Sequence, residues 1–178
     1  SMNRKGFILV FFTEGRYLKK GFWGLPLKWK LKLIIKNPLF LYQLWLCWFT
    51  KTYTRSKFAH VCFSYGDKVI DISAHKEATF WNLLDFCNKY PSIAGLYIIL
   101  TDKPIDILRY RTPKRPPKPW RSYLKLFTFG LINISGDCVD NTKDVLAQAD
   151  IKVSWKVTTP EGLHRWLKKQ GYKWKQLN

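Results

Sequence analysis

The alternation of apolar and polar residues changes character several times along the chain. Residues 6–15, "GFILVFFTEG", form a short apolar run stopped by Glu14-Gly15, which predicts a buried strand. The next stretches, "GFWGLPLKWKLKLIIKNPLF" and "LYQLWLCWFTKTYTRSK", mix Trp and Leu with Lys. Their apolar part, from Pro38 to Phe49, is about twelve residues, against the roughly twenty that a membrane-spanning helix needs. It predicts a buried helix, or one lying flat in a membrane interface.

From Phe58 the period becomes two. "FAHVCFSYGDKVIDIS" reads as strand, Gly-Asp turn, strand, with Ala59, Val61 and Phe63 on one face and His60, Cys62 and Ser64 on the other. A two-residue turn at Gly66-Asp67 pairs Ser64 with Val69, Cys62 with Asp71 and His60 with Ser73, so that His60, Asp71 and Ser73 share a face. "EATFWNLLDFCNKY" (77–90) has helical spacing and stops at Pro91, and "AGLYIIL" is a strand apolar on both faces. "TPKRPPKPWR" predicts an extended, solvated insertion.

"GDCVDNTKDVL" opens a helix running to about Ala149, with Asp137 as its N-cap. "IKVSW" is a strand candidate. "TTPEGLHRWLKKQG" predicts a helix with Thr159 as N-cap, Pro160 at the first position, Glu161 in the first turn and Gly171 beyond the end. The pattern is that of an α+β protein: a basic, Trp-rich N-terminal region over 1–57, then a domain over 58–178 carrying the insertion at about 103–121.

Composition adds a partner class. The 178 residues fit one domain, and the net charge of +19 favours an anionic partner, either nucleic acid or a membrane face. Ser1-Met2 reads as a tag remnant, and no secretory leader is recognised, so the expected setting is cytoplasmic, with the membrane periphery or a virion as variants. The charge is uneven: residues 1–57 carry twelve bases against one acid, 103–125 eight against one, and 151–178 seven against one. Residues 58–102 sum to −2 and 126–150 to −3. In the N-terminal region the bases either cover a Trp and Leu core or sit at a membrane surface, whereas "RYRTPKRPPKPWR" suits nucleic acid, although no nucleic-acid fold signature accompanies it.

The four cysteines, at 47, 62, 87 and 138, lack metal-ligand spacing and read as free thiols, so no metal or cofactor is expected. Cys47, Cys62 and Cys87 have apolar neighbours and predict core positions. Cys138 lies between Asp137 and Asp140, at the start of a helix. A thiol there is favoured as thiolate by the helix dipole, and the free amides of the first turn suit a developing oxyanion. A cysteine nucleophile also needs a base and an orienting partner. His60 supplies the base, and Asp71, with Ser73 as the alternative, the partner. His75 reads as a loop residue and His164 as a surface one.

"HVCFSYGDKVIDIS" followed much later by "GDCVDNTKDVL" resembles the circularly permuted branch of the NlpC/P60 papain-like cysteine hydrolases, the group that includes the lecithin:retinol acyltransferase-like enzymes. The resemblance covers roughly residues 56–150. It implies a papain-like fold, with the helix bearing Cys138 packed on an antiparallel sheet, a bacterial or phage setting, and hydrolysis or transfer at an amide, ester or thioester through an acyl-enzyme. It implies Cys138 as nucleophile and His60 as base. The family's third residue lies about a dozen positions past the His, which lands on Ile72 here, on the wrong face, so Asp71 or Ser73 takes the place. The family's Cys commonly has neutral neighbours, whereas Asp137 and Asp140 oppose a thiolate by repulsion. The substrate implied is an acyl group derived from a peptide, protein or lipid. A second expectation is a catalytically silent scaffold of this fold that binds a membrane or nucleic acid through its bases.

Overall fold

Gly6–Thr13 (β1) is apolar at consecutive positions because both of its faces are covered: Ile8, Val10 and Phe12 belong to one buried cluster, Leu9 and Phe11 to another. The computed structural model describes residues 6–13, 26–36, 52, 57–73, 76–89, 93–111, 119–128, 131–132 and 136–177. Its other strands are β2 (His60–Tyr65), β3 (Lys68–Ser73), β4 (Lys76–Asn82), β5 (Ile93–Thr101) and β6 (Trp174–Gln176). They form one six-stranded sheet in the order β4-β3-β2-β1-β5-β6, with every neighbouring pair antiparallel. The protein is thus α+β. Because β1 lies between β2 and β5, the sheet does not begin at residue 58; a strand from the region set apart as N-terminal is one of its inner members.

The β2–β3 hairpin has the expected register, Tyr65 facing Lys68 and Ser64 facing Val69, around a turn where Gly66 takes φ 61°, a conformation that favours glycine. Five α-helices are described, α1 (Leu27–Lys36), α2 (Leu83–Lys89), α3 (Pro119–Phe127), α4 (Cys138–Gln148) and α5 (Pro160–Lys169), besides a short 3-10 turn at Leu108–Tyr110. α4 packs on β2 and β3, placing Val139, Val145 and Leu146 against the cluster that holds Val61, Phe63, Ile70 and Ile72. α5 adds Leu163 and Leu167 to the same core. It starts as its sequence predicts, with the Thr159 hydroxyl accepting from Gly162 N at 3.0 Å and Pro160 in the first turn.

Several elements depart from the sequence pattern. Residues 76–82 are a strand, and only Leu83–Lys89 is helical. Thr79, Phe80 and Trp81 suit the pleated edge beside β3, and the Asn82 carboxamide oxygen accepts from Leu84 N at 3.0 Å as the helix begins. On α2, Phe86 turns inward and Cys87 is exposed, so Cys87 is no core thiol, whereas Cys62 is buried. β5 is not buried on both faces: Ile98 and Leu100, opposite Leu9 and Phe7, are 49% and 71% exposed. Residues 151–155 are not a strand; the sixth strand is Trp174–Gln176, held to Gly95, Leu96 and Tyr97. Pro119, Trp120 and Arg121, read as the end of an extended insertion, are the first turn of α3, a position proline tolerates. Ile105 and Tyr110, at the start of the region expected to be a solvated insertion, are buried in the core. The Pro38–Phe49 segment, residues 112–118 of the insertion, Cys47 and His75 lie outside the described residues.

Candidate active site

The helix that carries Cys138 is fixed at its first turn by side chains of its own sequence. Gly136 takes φ 67°, and Asp137 follows in an extended conformation as N-cap. Asp137 Oδ1 accepts from Val139 N and Asp140 N, each at 3.0 Å. The Asn141 carboxamide donates back to the carbonyls of Gly136 and Asp137, both at 2.8 Å, and the buried Thr142 hydroxyl donates to Cys138 O at 2.8 Å. The amides of Val139, Asp140 and Asn141 are thereby committed to Asp137. The Cys138 amide is the one in this turn that the cap does not engage, so the first-turn amides are not all open to an oxyanion as the sequence suggested.

His60 opens β2, opposite Thr13 of β1. Its Nε2 lies 2.6 Å from Asp71 Oδ1 on β3, and the two side chains are 22% and 15% exposed. The Cys138 side chain approaches the same ring closely enough to act on its ionisation. With Nε2 engaged by Asp71, Nδ1 is the ring nitrogen left for the thiol. Burial alone pulls the imidazole toward its neutral form, but the charges of Cys138 and Asp71, with their hydrogen bonds, outweigh it and hold the His60 pKa well above 6.5. Cys62 stands near the same charges. Burial first, then repulsion from Asp71 and Cys138, pushes its thiol well up, which keeps it protonated and inert.

The structure therefore brings together Cys138, His60 and Asp71. Ser73, the other candidate for the third position, ends β3 opposite Lys76, past an irregularity in the ladder between Asp71 and Ser73. His164 is half-buried rather than a wholly surface histidine. Its ring sits among Phe12, Phe58, Tyr97 and Trp174, with centroids 4.7 to 5.6 Å away, and its Nδ1 is 3.1 Å from the Tyr97 hydroxyl.

Lys125 is the residue that the sequence reading missed. It was counted among the bases near the solvated insertion, yet on α3 its side chain is 0% exposed and reaches the two acids flanking Cys138. Its Nζ donates to Asp137 Oδ1 at 3.1 Å, Asp137 Oδ2 at 2.9 Å and Asp140 Oδ1 at 2.9 Å. Burial would neutralise such an amine; the two carboxylates prevail and raise its pKa, keeping it an ammonium. The available signal was a lysine set between Leu124 and Leu126 in the apolar run "SYLKLFTFG", some twelve to fifteen residues before a pair of aspartates.

Among the described residues no group of three or more His, Cys, Asp or Glu could hold a metal ion, and no helix is long and apolar enough to cross a membrane. No family model, curated protein or solved structure matches the chain.

Proposed function

We propose that the protein is a thiol-dependent hydrolase in which Cys138 attacks an acyl carbon, His60 moves the proton and Asp71 orients His60. The observation that carries the reading is the continuous line Asp71, His60, Cys138, drawn from two strands and a helix start far apart in sequence. The order of the residues, and the packing of the thiol-bearing helix on an antiparallel sheet, support kinship with the permuted NlpC/P60 papain-like hydrolases.

In the forward step the Cys138 thiol gives its proton to His60 as the sulfur forms a bond to the acyl carbon, and the carbonyl electrons move to oxygen, near the Cys138 amide. Collapse of that adduct breaks the bond to the leaving nitrogen, oxygen or sulfur, which takes the proton from His60. A water molecule then gives a proton to the neutral His60 ring as its oxygen attacks the thioester, releasing the carboxylic acid and restoring the Cys138-His60 pair. The test uses 4-nitrophenyl acetate and peptide mass mapping. Acetylation of Cys138 with continued nitrophenol release, lost in Cys138→Ala and reduced to background in His60→Ala, supports the hydrolase. Acetylation spread over several thiols and indifferent to His60 overturns it in favour of a catalytically silent binding scaffold.

A membrane surface is the proposed partner, on the observation of α1. Leu27, Leu31 and Ile35 recur every fourth position and are 72%, 49% and 78% exposed, beside the exposed Lys28 and Lys32. An apolar stripe edged by bases is complementary to an anionic bilayer. Flotation with phosphatidylglycerol-containing vesicles, absent with phosphatidylcholine alone and lost in Leu31→Glu/Ile35→Glu, is expected. Equal flotation of the variant, or competition by single-stranded RNA at equal charge, overturns the membrane in favour of another anionic partner.

A further inference from the structure

We infer that Lys125 is a positioning residue for Cys138: by offsetting part of the negative charge of Asp137 and Asp140 at the helix start, it allows an acid-flanked thiol to act as a nucleophile. The role rests on the thiol-hydrolase reading, and it accounts for the two acids beside the thiol. Asp137 is needed as N-cap, since it holds the amides of Val139 and Asp140. The same carboxylate, with Asp140 one turn position on, places negative charge next to the sulfur that has to become negative.

Lys125 is built into this turn rather than laid over it. The side chain is fully buried, and its three hydrogen bonds among the described residues go to these two acids. A buried ammonium is costly unless its geometry is good and its donors are satisfied, which three bonds at 2.9 to 3.1 Å to two carboxylates achieve. In so dry a place the charge is weakly screened, so its effect on neighbouring ionisation is larger than that of a surface lysine. α3 is at the same time tied to α4, so the position of the helix start depends on this contact.

The charged and titratable groups around the thiol come from four elements: His60 and Cys62 on β2, Asp71 on β3, Lys125 on α3, and Asp137, Asp140 and Lys143 at α4. Lys143 is half-buried and donates to Val157 O at 3.1 Å; Asp140 and Asp137 also act on it through their charge, so it is a second cation near the pair that Lys125 binds directly.

The experiment is the rate of Cys138 alkylation by iodoacetamide against pH, read by peptide mass mapping in the full chain. Lys125→Met exposes the thiol to both carboxylates, and the midpoint of the profile moves up by about one pH unit, a roughly tenfold loss of rate on the acid side. Asp140→Asn removes one negative charge, leaving Lys125 balanced by Asp137 alone, and moves the midpoint down, and Lys125→Met/Asp140→Asn, with the same net charge as the wild type, returns it toward that of the wild type. The opposed signs separate electrostatic positioning from a merely structural contact, which would not move the midpoint both ways. Should Lys125→Met fail to fold, Lys125→Met/Asp140→Asn is compared with Asp140→Asn, a pair that differs only in the lysine: a higher midpoint in the double variant supports the role, and equal midpoints overturn it. A wild-type profile indifferent to His60→Ala instead overturns the hydrolase reading, and the effect of Lys125 is then read on an ordinary thiol.

Discussion

His60 and Asp71 stand eleven residues apart in sequence and 2.6 Å apart in space, Nε2 to Oδ1, on the two strands of a hairpin turned at Gly66-Asp67. Together with Cys138, Asp71 overcomes the burial that would otherwise keep the ring neutral. Asp71→Asn keeps the shape and removes the charge. The imidazole pKa of His60, followed by NMR, is expected to fall by at least about one unit in the variant. The pH range over which His60 carries a proton then contracts from its alkaline side, and the pH-rate profile of ester hydrolysis loses that limb first. An unchanged titration would show that Asp71 is not electrically coupled to the ring.

His164 gives the opposite sign. Burial first, with further opposition from Lys168, Lys57 and Arg165, lowers its pKa below 6.5 despite the nearby Glu161. A histidine held neutral in the fold contributes stability that is present above the unfolded value of about 6.5 and is lost as pH falls through the folded value. Urea denaturation between about pH 7 and pH 5 should therefore show a decline in stability that is shallower in His164→Phe, whatever the variant's absolute stability. Parallel curves would remove His164 from the acid response.

How much of this was legible depended on the range of the interaction that decides each element. The hairpin register, the Asp137 cap and the Thr159-Pro160 helix start are settled by residues a few positions apart, and their sequence patterns carry them. The meeting of Asp71 with His60 followed from that register. β4 was misread because residues 76–82 have helical spacing as well as strand-forming residues, and pairing with β3 decides between them. β6 is three residues long and exists through its contact with β5. Lys125 was hidden for a related reason. A lysine reads as solvated until a helix is placed beneath two acids, and nothing within its own turn announces them.

Asp137 serves two structures at once, the helix start and the Lys125 contact. Asp137→Ala loses the cap, about 0.5–2 kcal/mol, and leaves the buried ammonium with Asp140 alone, which adds to that loss. A total of about 2–4 kcal/mol is expected in urea denaturation, with Asp137→Asn costing less because its side-chain oxygen still accepts from the first-turn amides. Equal costs for the two variants would mean that the cap contributes little and that the charge pair with Lys125 dominates.

The short β6 strand depends on the absence of a side chain at Gly95. A Cβ there would run into the indole of Trp174 and stand 2.6 Å from the Lys175 carbonyl oxygen, a backbone atom that cannot swing aside. Trp174 in turn closes the ring cluster of Phe12, Phe58, Tyr97 and His164. Gly95→Ala is therefore expected to push β6 off the edge of β5, at a cost of about 1–3 kcal/mol, visible as a lower urea midpoint and as faster hydrogen exchange confined to residues 174–177 and the β5 amides that face them. Cys138 lies across the sheet, on the helix packed over β2 and β3, and its alkylation profile should stay where it is. A shift of that profile would mean that the β5 edge and the thiol-bearing helix are mechanically coupled through β1.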